Sequence, residues 1–229
     1  MKKINDLRIA KKEIIPTPYR IMSLNPVSQD KIDLTVKTRK EIEDILFGVD
    51  NRYFFIVGPC SIHNPESALE YAGKLKMLSD KVKDKILLVM RVYFEKPRTI
   101  TGWKGLINDP YMNNTYNMEA GLNISRKLVL DILDLGMPIS NEALDPVVVQ
   151  YLDDVTSWSA IGARTVESQT HRQMASGLSC PVGLKNPTNG DLTIAINSIA
   201  SVKESHNFIA MDHEGRTCLY TTTGNQSSH

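Results

Sequence analysis

The residues best suited to chemistry gather between Arg91 and Gly105. Arg91, Lys96, Arg98 and Lys104 stand there among Pro97, Gly102 and Gly105, with the hydroxyls of Thr99 and Thr101 beside them. Arginine offers a planar fork to an oxyanion, and lysine a point charge. Such a set on a constrained loop suits a phosphate or carboxylate ligand. A solvated basic loop has the same composition, because charge runs are commonly plain surface. Elsewhere, Cys60, Glu142, Arg164 and Lys185 each follow or end a short apolar run. Arg91, Arg164 and Lys185 can converge on one anion, while Lys96, Arg98 and Thr99 can hold a second. Two anions held side by side would react at reduced entropic cost.

The elements that must place these residues alternate regularly. Apolar runs at Tyr53–Val57, Ile86–Val92, Pro138–Ala143, Ser159–Gly162 and Pro181–Leu184 read as strands, the first as one buried on both faces. Between them the pattern predicts helices over 65–79 with Asn64 as cap, 117–135 stopping at Gly136, 146–155 with Asp145 as cap, 169–176 stopping at Gly177, and 192–202. Two extended runs, near 208–211 and 217–222, follow. Five strand–helix alternations argue for an α/β fold with a parallel sheet, and ligands bind such sheets at the strand C-terminal ends. Gly58-Pro-Cys-Ser is not a dinucleotide-binding GxGxxG, so a TIM (β/α)8-type barrel is favoured over a doubly wound sheet. Eight units need about 250 residues; the sequence has 229 and supplies about five of them. Residues 1–50, broken by Pro16, Pro18 and Pro26 and carrying a predicted helix over 29–47, read as an N-terminal arm. Residues 51–229 read as the partial barrel.

Composition narrows the function. Hydrophobic residues make up 41% and charged residues 23%, and the net charge is +1. No bulk positive field points to nucleic acid. No run approaches the ~20 apolar residues of a membrane span. Cys60, Cys180 and Cys218 are odd in number and widely spaced, which suggests a reducing compartment and a cytoplasmic protein. The histidines show no ligand spacing, and Trp103 and Trp158 read as packing residues. By type and position alone, Cys60 reads as a small buried residue after a strand.

Several motifs closely resemble the type I 3-deoxy-D-arabino-heptulosonate 7-phosphate (DAHP) synthases. They are GPCSIH at 58–63, RVYFEKPRT at 91–99, GWKGLINDP at 102–110, GARTVES at 162–168 and ASGLSCPVGLKN at 175–186, with Asn5–Ile9 near the start. They run in collinear order over essentially the whole chain. The resemblance implies a metal-dependent transferase of the shikimate pathway, the first step towards aromatic amino acids. It implies condensation of phosphoenolpyruvate with erythrose 4-phosphate, a homodimer or homotetramer in the full-length form, and feedback regulation through the arm. It assigns Arg91, Arg164 and Lys185 to phosphoenolpyruvate, and Arg98 with Thr99 to erythrose 4-phosphate. Lys96 becomes a proton donor between the two substrates, and Glu142 faces the attacking water. Cys60 becomes the thiolate ligand of a divalent metal (Mn, Fe, Co or Zn) whose other ligands lie on later strands of the family. Asp6, Gln150, Leu178 and Ser179 match an aromatic amino-acid effector site. The sequence ends where the family's sixth strand begins, so a truncated, catalytically inactive fragment that keeps oligomer contacts is the alternative expectation.

Overall fold

The computed structural model describes residues 4–229. Its centre is a five-stranded parallel sheet of β1 (Tyr53–Val57), β2 (Ile86–Arg91), β3 (Ile139–Glu142), β4 (Trp158–Ile161) and β5 (Val182–Leu184). The strands lie in chain order, β1-β2-β3-β4-β5. Every C-terminal end therefore points to one rim, as in the first five units of a (β/α)8 barrel.

The helices are α1 (Pro18–Leu24), α2 (Gln29–Leu46), α3 (Pro65–Val82), α4 (Met118–Asp134), α5 (Gln169–Ser176) and α6 (Leu192–Lys203). Their starts follow local chemistry. Asn64 and Asn117 accept the amides of Ser67 and Ala120, and Asp191 accepts that of Thr193. The apolar stripe of α4 (Leu122, Val129, Ile132, Leu133) and Ala68, Ala72 and Leu75 of α3 close over β2 and β3. In the 1–50 segment, Thr17 caps α1 with Pro18 in its first turn, and Ile21 and Ile42 are fully buried. This helix was not expected among the prolines.

Two expectations fail. Tyr53 and Phe55 are 72% and 50% exposed: they share one face of the outer strand β1, while Phe54 and Ile56 on the other face pack with Ile42 and Trp158. Residues 146–155 form two 3-10 turns, Val148–Tyr151 and Asp153–Val155, not an α-helix. Their carbonyls are taken from outside: Arg39 donates to those of Asp153 and Thr156, and Arg126 to that of Tyr151.

Past β5, strands β6 (Asn207–Met211) and β7 (Thr217–Thr221) form an antiparallel hairpin. The arm meets its turn, where the amide of Tyr19 donates to the carbonyl of His213. Ser228 then bridges Val182 in parallel, and the amide of Leu184 donates to the carbonyl of His229. The free side of β5 thus carries two residues of extended chain.

Candidate active site

At the strand C-terminal rim lies a cleft of about 290 Å³ that takes Cys60 from beyond β1, Arg91 from β2, Glu142 from β3, Arg164 from beyond β4 and Lys185 from beyond β5. Lys96 and Arg98 reach it from the loop after β2. The sequence-derived rim residues are therefore brought together, and the basic loop faces a cavity.

That loop is a closed flap. The amide of Lys96 donates to the carbonyl of Lys104, and Glu95 bridges Gly105. Gly105 has φ +117, and a Cβ there would lie 2.0 Å from the Phe94 carbonyl oxygen, so only glycine closes the flap this tightly. Gly162 serves the cleft in a different way. A Cβ on it would sit 2.6 Å from Oε1 of Glu142, and its absence lets that carboxylate lie across the β4 end.

The cations are set by a few polar contacts. Arg91 donates to the carbonyl of Cys60 at 3.2 Å, and its guanidinium lies 4.2 Å from the centre of the Tyr93 ring. Nζ of Lys185 lies 5.1 Å from the same ring and 3.4 Å from Oε1 of Glu142. Burial first, and then the Glu142 charge, push the Tyr93 hydroxyl up to about 12, so the ring stays a neutral face for both cations. Nε of Arg164 donates to the Thr99 hydroxyl at 3.2 Å, joining the two sets of cations separated in sequence. Nε of Arg98 donates to the carbonyl of Trp103 at 2.9 Å.

Cys60 is exposed, contrary to the reading from its type. Nζ of Lys96 lies 3.2 Å from its Sγ. That hydrogen bond, then the charges of Lys96 and Arg91, hold the thiol below its ordinary value. A thiol whose ionisation is favoured in this way is a better soft ligand than an ordinary one. Yet among the described residues no group of three or more His, Cys, Asp or Glu could hold a metal ion. The groups beside Cys60 are cations, which oppose a second positive charge. The described residues therefore do not by themselves fit a metal.

Tyr93 and Glu95 complete the site and were missed in the sequence. Glu95 lines the cleft, and burial first, then Asp145 and Glu142, push its carboxyl from 4.5 up to about 8. The folded chain keeps a proton there that the unfolded chain releases, so this group makes stability fall as pH rises from about 4.5 to about 8 and level off above. Glu95→Gln should flatten that part of the profile. Urea unfolding at intervals across the range would show it, and an unchanged slope would remove Glu95 from the account.

A second cavity, about 440 Å³, opens between the first 3-10 turn, α5 and the hairpin. Gln150, Leu178 and Ser179 line it with Met174, Phe208 and Tyr220. Asp6 does not reach it; it is exposed in the arm and pairs with Lys12.

The profile of the DAHP synthetase I family matches residues 26–229. The chain belongs to that family. It is 50% identical over 226 residues to the Tyr-sensitive phospho-2-dehydro-3-deoxyheptonate aldolase of Escherichia coli K12, covering 99% of this chain and 64% of that one. It is 48% identical to the Phe-sensitive aldolase of the same organism over 98% of this chain and 64% of the other. It is 46% identical to a Trp-sensitive aldolase of Buchnera aphidicola over all of this chain and 66% of the other. The solved structure of the Francisella tularensis SCHU S4 aldolase superposes with a TM-score of 0.95 at 45% identity, over 96% of this chain and 65% of that one. The chain thus spans about 64% of the length of the first of these DAHP synthetase relatives, and the partial barrel is the family's own fold.

Proposed function

We propose that this chain binds phosphoenolpyruvate and erythrose 4-phosphate and acts in their condensation to DAHP and phosphate, as the resemblance of its motifs to the DAHP synthases implies. One observation carries this: cations from three strand ends and one flap meet in a single cleft, with Arg164 tied to Thr99 and Lys185 to Glu142. Arg91, Arg164 and Lys185 take the phosphate and carboxylate of phosphoenolpyruvate. Arg98 and Thr99 take the phosphate of the sugar, which brings its aldehyde towards C3 of phosphoenolpyruvate. As C3 attacks the carbonyl carbon, negative charge gathers on the aldehyde oxygen. The Lys96 ammonium, beside both anions, gives that oxygen its proton. Water then adds at C2 with Glu142 taking its proton, and the C2–O bond to phosphate breaks. The divalent ion that the family resemblance implies finds no fitting ligand set among the described residues, so no step here is routed through it.

The test is calorimetric titration of the chain with each substrate, alongside loss of phosphoenolpyruvate and release of phosphate. Lys96→Met should bind phosphoenolpyruvate within a few-fold of the parent, since Arg91, Arg164 and Lys185 still take its phosphate and carboxylate. Failure of the parent to bind phosphoenolpyruvate at millimolar concentration would sink the reading.

We further propose that the second cavity takes an aromatic amino acid, its apolar walls receiving the ring and Gln150 and Ser179 the polar end. Tyrosine, phenylalanine or tryptophan at millimolar concentration should raise the melting temperature, and Gln150→Ala should reduce the shift. No shift with any of the three would remove the effector. Asp6 would join the site from another copy of the chain in a homodimer or homotetramer. Among the described residues no helix is long and apolar enough to cross a membrane. With three free cysteines, we place the protein in the cytoplasm.

A further inference from the structure

We propose that Asp109 and Trp103 are positioning residues that aim Arg98 at its anion, an inference that rests on Arg98 being part of the substrate cleft. Asp109 lies outside that cleft and is 4% exposed. Its Oδ2 accepts the amide of Asn114 at 3.0 Å, while its Oδ1 is buried with no partner. Its backbone carbonyl accepts both the amide of Met112 and, at 2.8 Å, the indole Nε1–H of Trp103. The carbonyl of Trp103 in turn accepts Nε–H of Arg98. Four residues thus form one chain of contacts, from Asn114 through Asp109 and Trp103 to Arg98.

The segment that Asp109 organises is strained. Met112, Asn114 and Tyr116 have φ of 54°, 61° and 52°. A left-handed backbone at non-glycine residues persists only when its surroundings over-determine it. Here the carboxylate on Asn114 and the close packing of α4 supply that constraint. A Cβ at Gly121 of α4 would lie 2.2 Å from the Ile107 carbonyl oxygen. A buried carboxylate with an unpaired oxygen is itself unfavourable. Both costs fall on a turn whose outward contact is the Trp103 indole, and the Trp103 carbonyl fixes the guanidinium.

Fixing Nε leaves the terminal amino groups of Arg98 without a protein partner among the described residues, and a guanidinium so oriented presents its fork to a ligand. Preorganisation of this kind lowers the ordering cost of binding. It acts on the sugar-phosphate subsite alone, because Arg91 and Lys185 are held by other partners, Cys60, Tyr93 and Glu142.

The experiment compares Trp103→Phe, Asp109→Ala and Asp109→Asn in the full chain. Phenylalanine keeps the ring packing and removes the Nε1–H donor. Asparagine keeps an acceptor for the Asn114 amide, and alanine does not. Two readouts are taken: calorimetric affinity for erythrose 4-phosphate and phosphoenolpyruvate, and solvent exchange of the Arg98 Nε–H by nitrogen-15 NMR. Trp103→Phe and Asp109→Ala should weaken erythrose 4-phosphate about three- to tenfold, the scale of one hydrogen bond. They should leave phosphoenolpyruvate within about twofold and speed Nε–H exchange, while Asp109→Asn stays near the parent. Should Asp109→Ala not fold, Trp103→Phe decides alone. Equal weakening of both ligands, or unchanged Nε–H exchange in Trp103→Phe, overturns the relay. If the parent binds neither ligand, the cleft reading fails, and exchange in Trp103→Phe still decides whether the relay fixes Arg98.

Discussion

Replacing Arg164 with alanine should weaken phosphoenolpyruvate by about 30-fold or more and weaken erythrose 4-phosphate as well. Truncating one member of a hydrogen-bonded charge pair costs about 2–5 kcal/mol when the pair is buried. Arg164 is exposed in the free chain and loses water only when the ligand covers it, so the low end applies, and about 2 kcal/mol is roughly 30-fold. The second effect comes from Thr99, whose hydroxyl Arg164 holds at 3.2 Å. Loss of the guanidinium frees that side chain at the other subsite. Arg164→Lys should recover little, because an ammonium cannot serve a hydroxyl and a phosphate with one planar fork. Calorimetry with both ligands checks this. Parental affinity of Arg164→Ala for both would sink the proposed anion site.

Arg126→Ala should have the largest effect on stability. Arg126 is 1% exposed and belongs to α4. Its guanidinium makes a fork with both oxygens of Asp154 at 2.8 Å and donates to the carbonyls of Tyr151 and Asn25. It ties α1, α4 and the 3-10 turns at one point. Removing one partner of a buried pair costs about 3–5 kcal/mol, and with Asp154 29% exposed the low end applies. In a domain of this size each kcal/mol shifts the melting temperature by about 2–4 °C, so a fall of at least about 6 °C is expected. A shift of only a degree or two by calorimetry would show that Asp154 finds water instead.

The rim was legible in the sequence, and the sheet's edges were not. Arg91, Glu142 and Lys185 could be placed because apolar runs end at them, and strand ends in such folds share one rim. Burial of β1 could not be read from Tyr53–Val57, since its exposure depends on what stands beside it. Residues 146–155 had a cap, a proline and helical apolar spacing. Three successive valines (147–149) resist the helix by losing χ1 freedom, and Arg39 and Arg126, distant in sequence, take the carbonyls. Glu95 was hidden for a similar reason: Asp145 and Glu142 reach it only after folding. Trp103 was read as packing, and it also donates to Asp109. The family motifs located Cys60 in a site, where residue type alone had it buried.

The strand order has a consequence for how the chain comes into being. Each strand pairs with the one made just before it, so Tyr53 waits only for Ile86, its register partner 33 positions later (86 minus 53). Synthesis proceeds at about 5–20 residues per second, and one such interval takes a few seconds on the ribosome. Helices form in microseconds or less and hairpins in about 1–10 microseconds. Each β/α unit can therefore settle on its predecessor before the next emerges, and the contact order of the sheet stays low for a parallel fold. The exposed edge at β1 is present from the first unit onward. It is the earliest sheet edge a chaperone or a second nascent chain would meet.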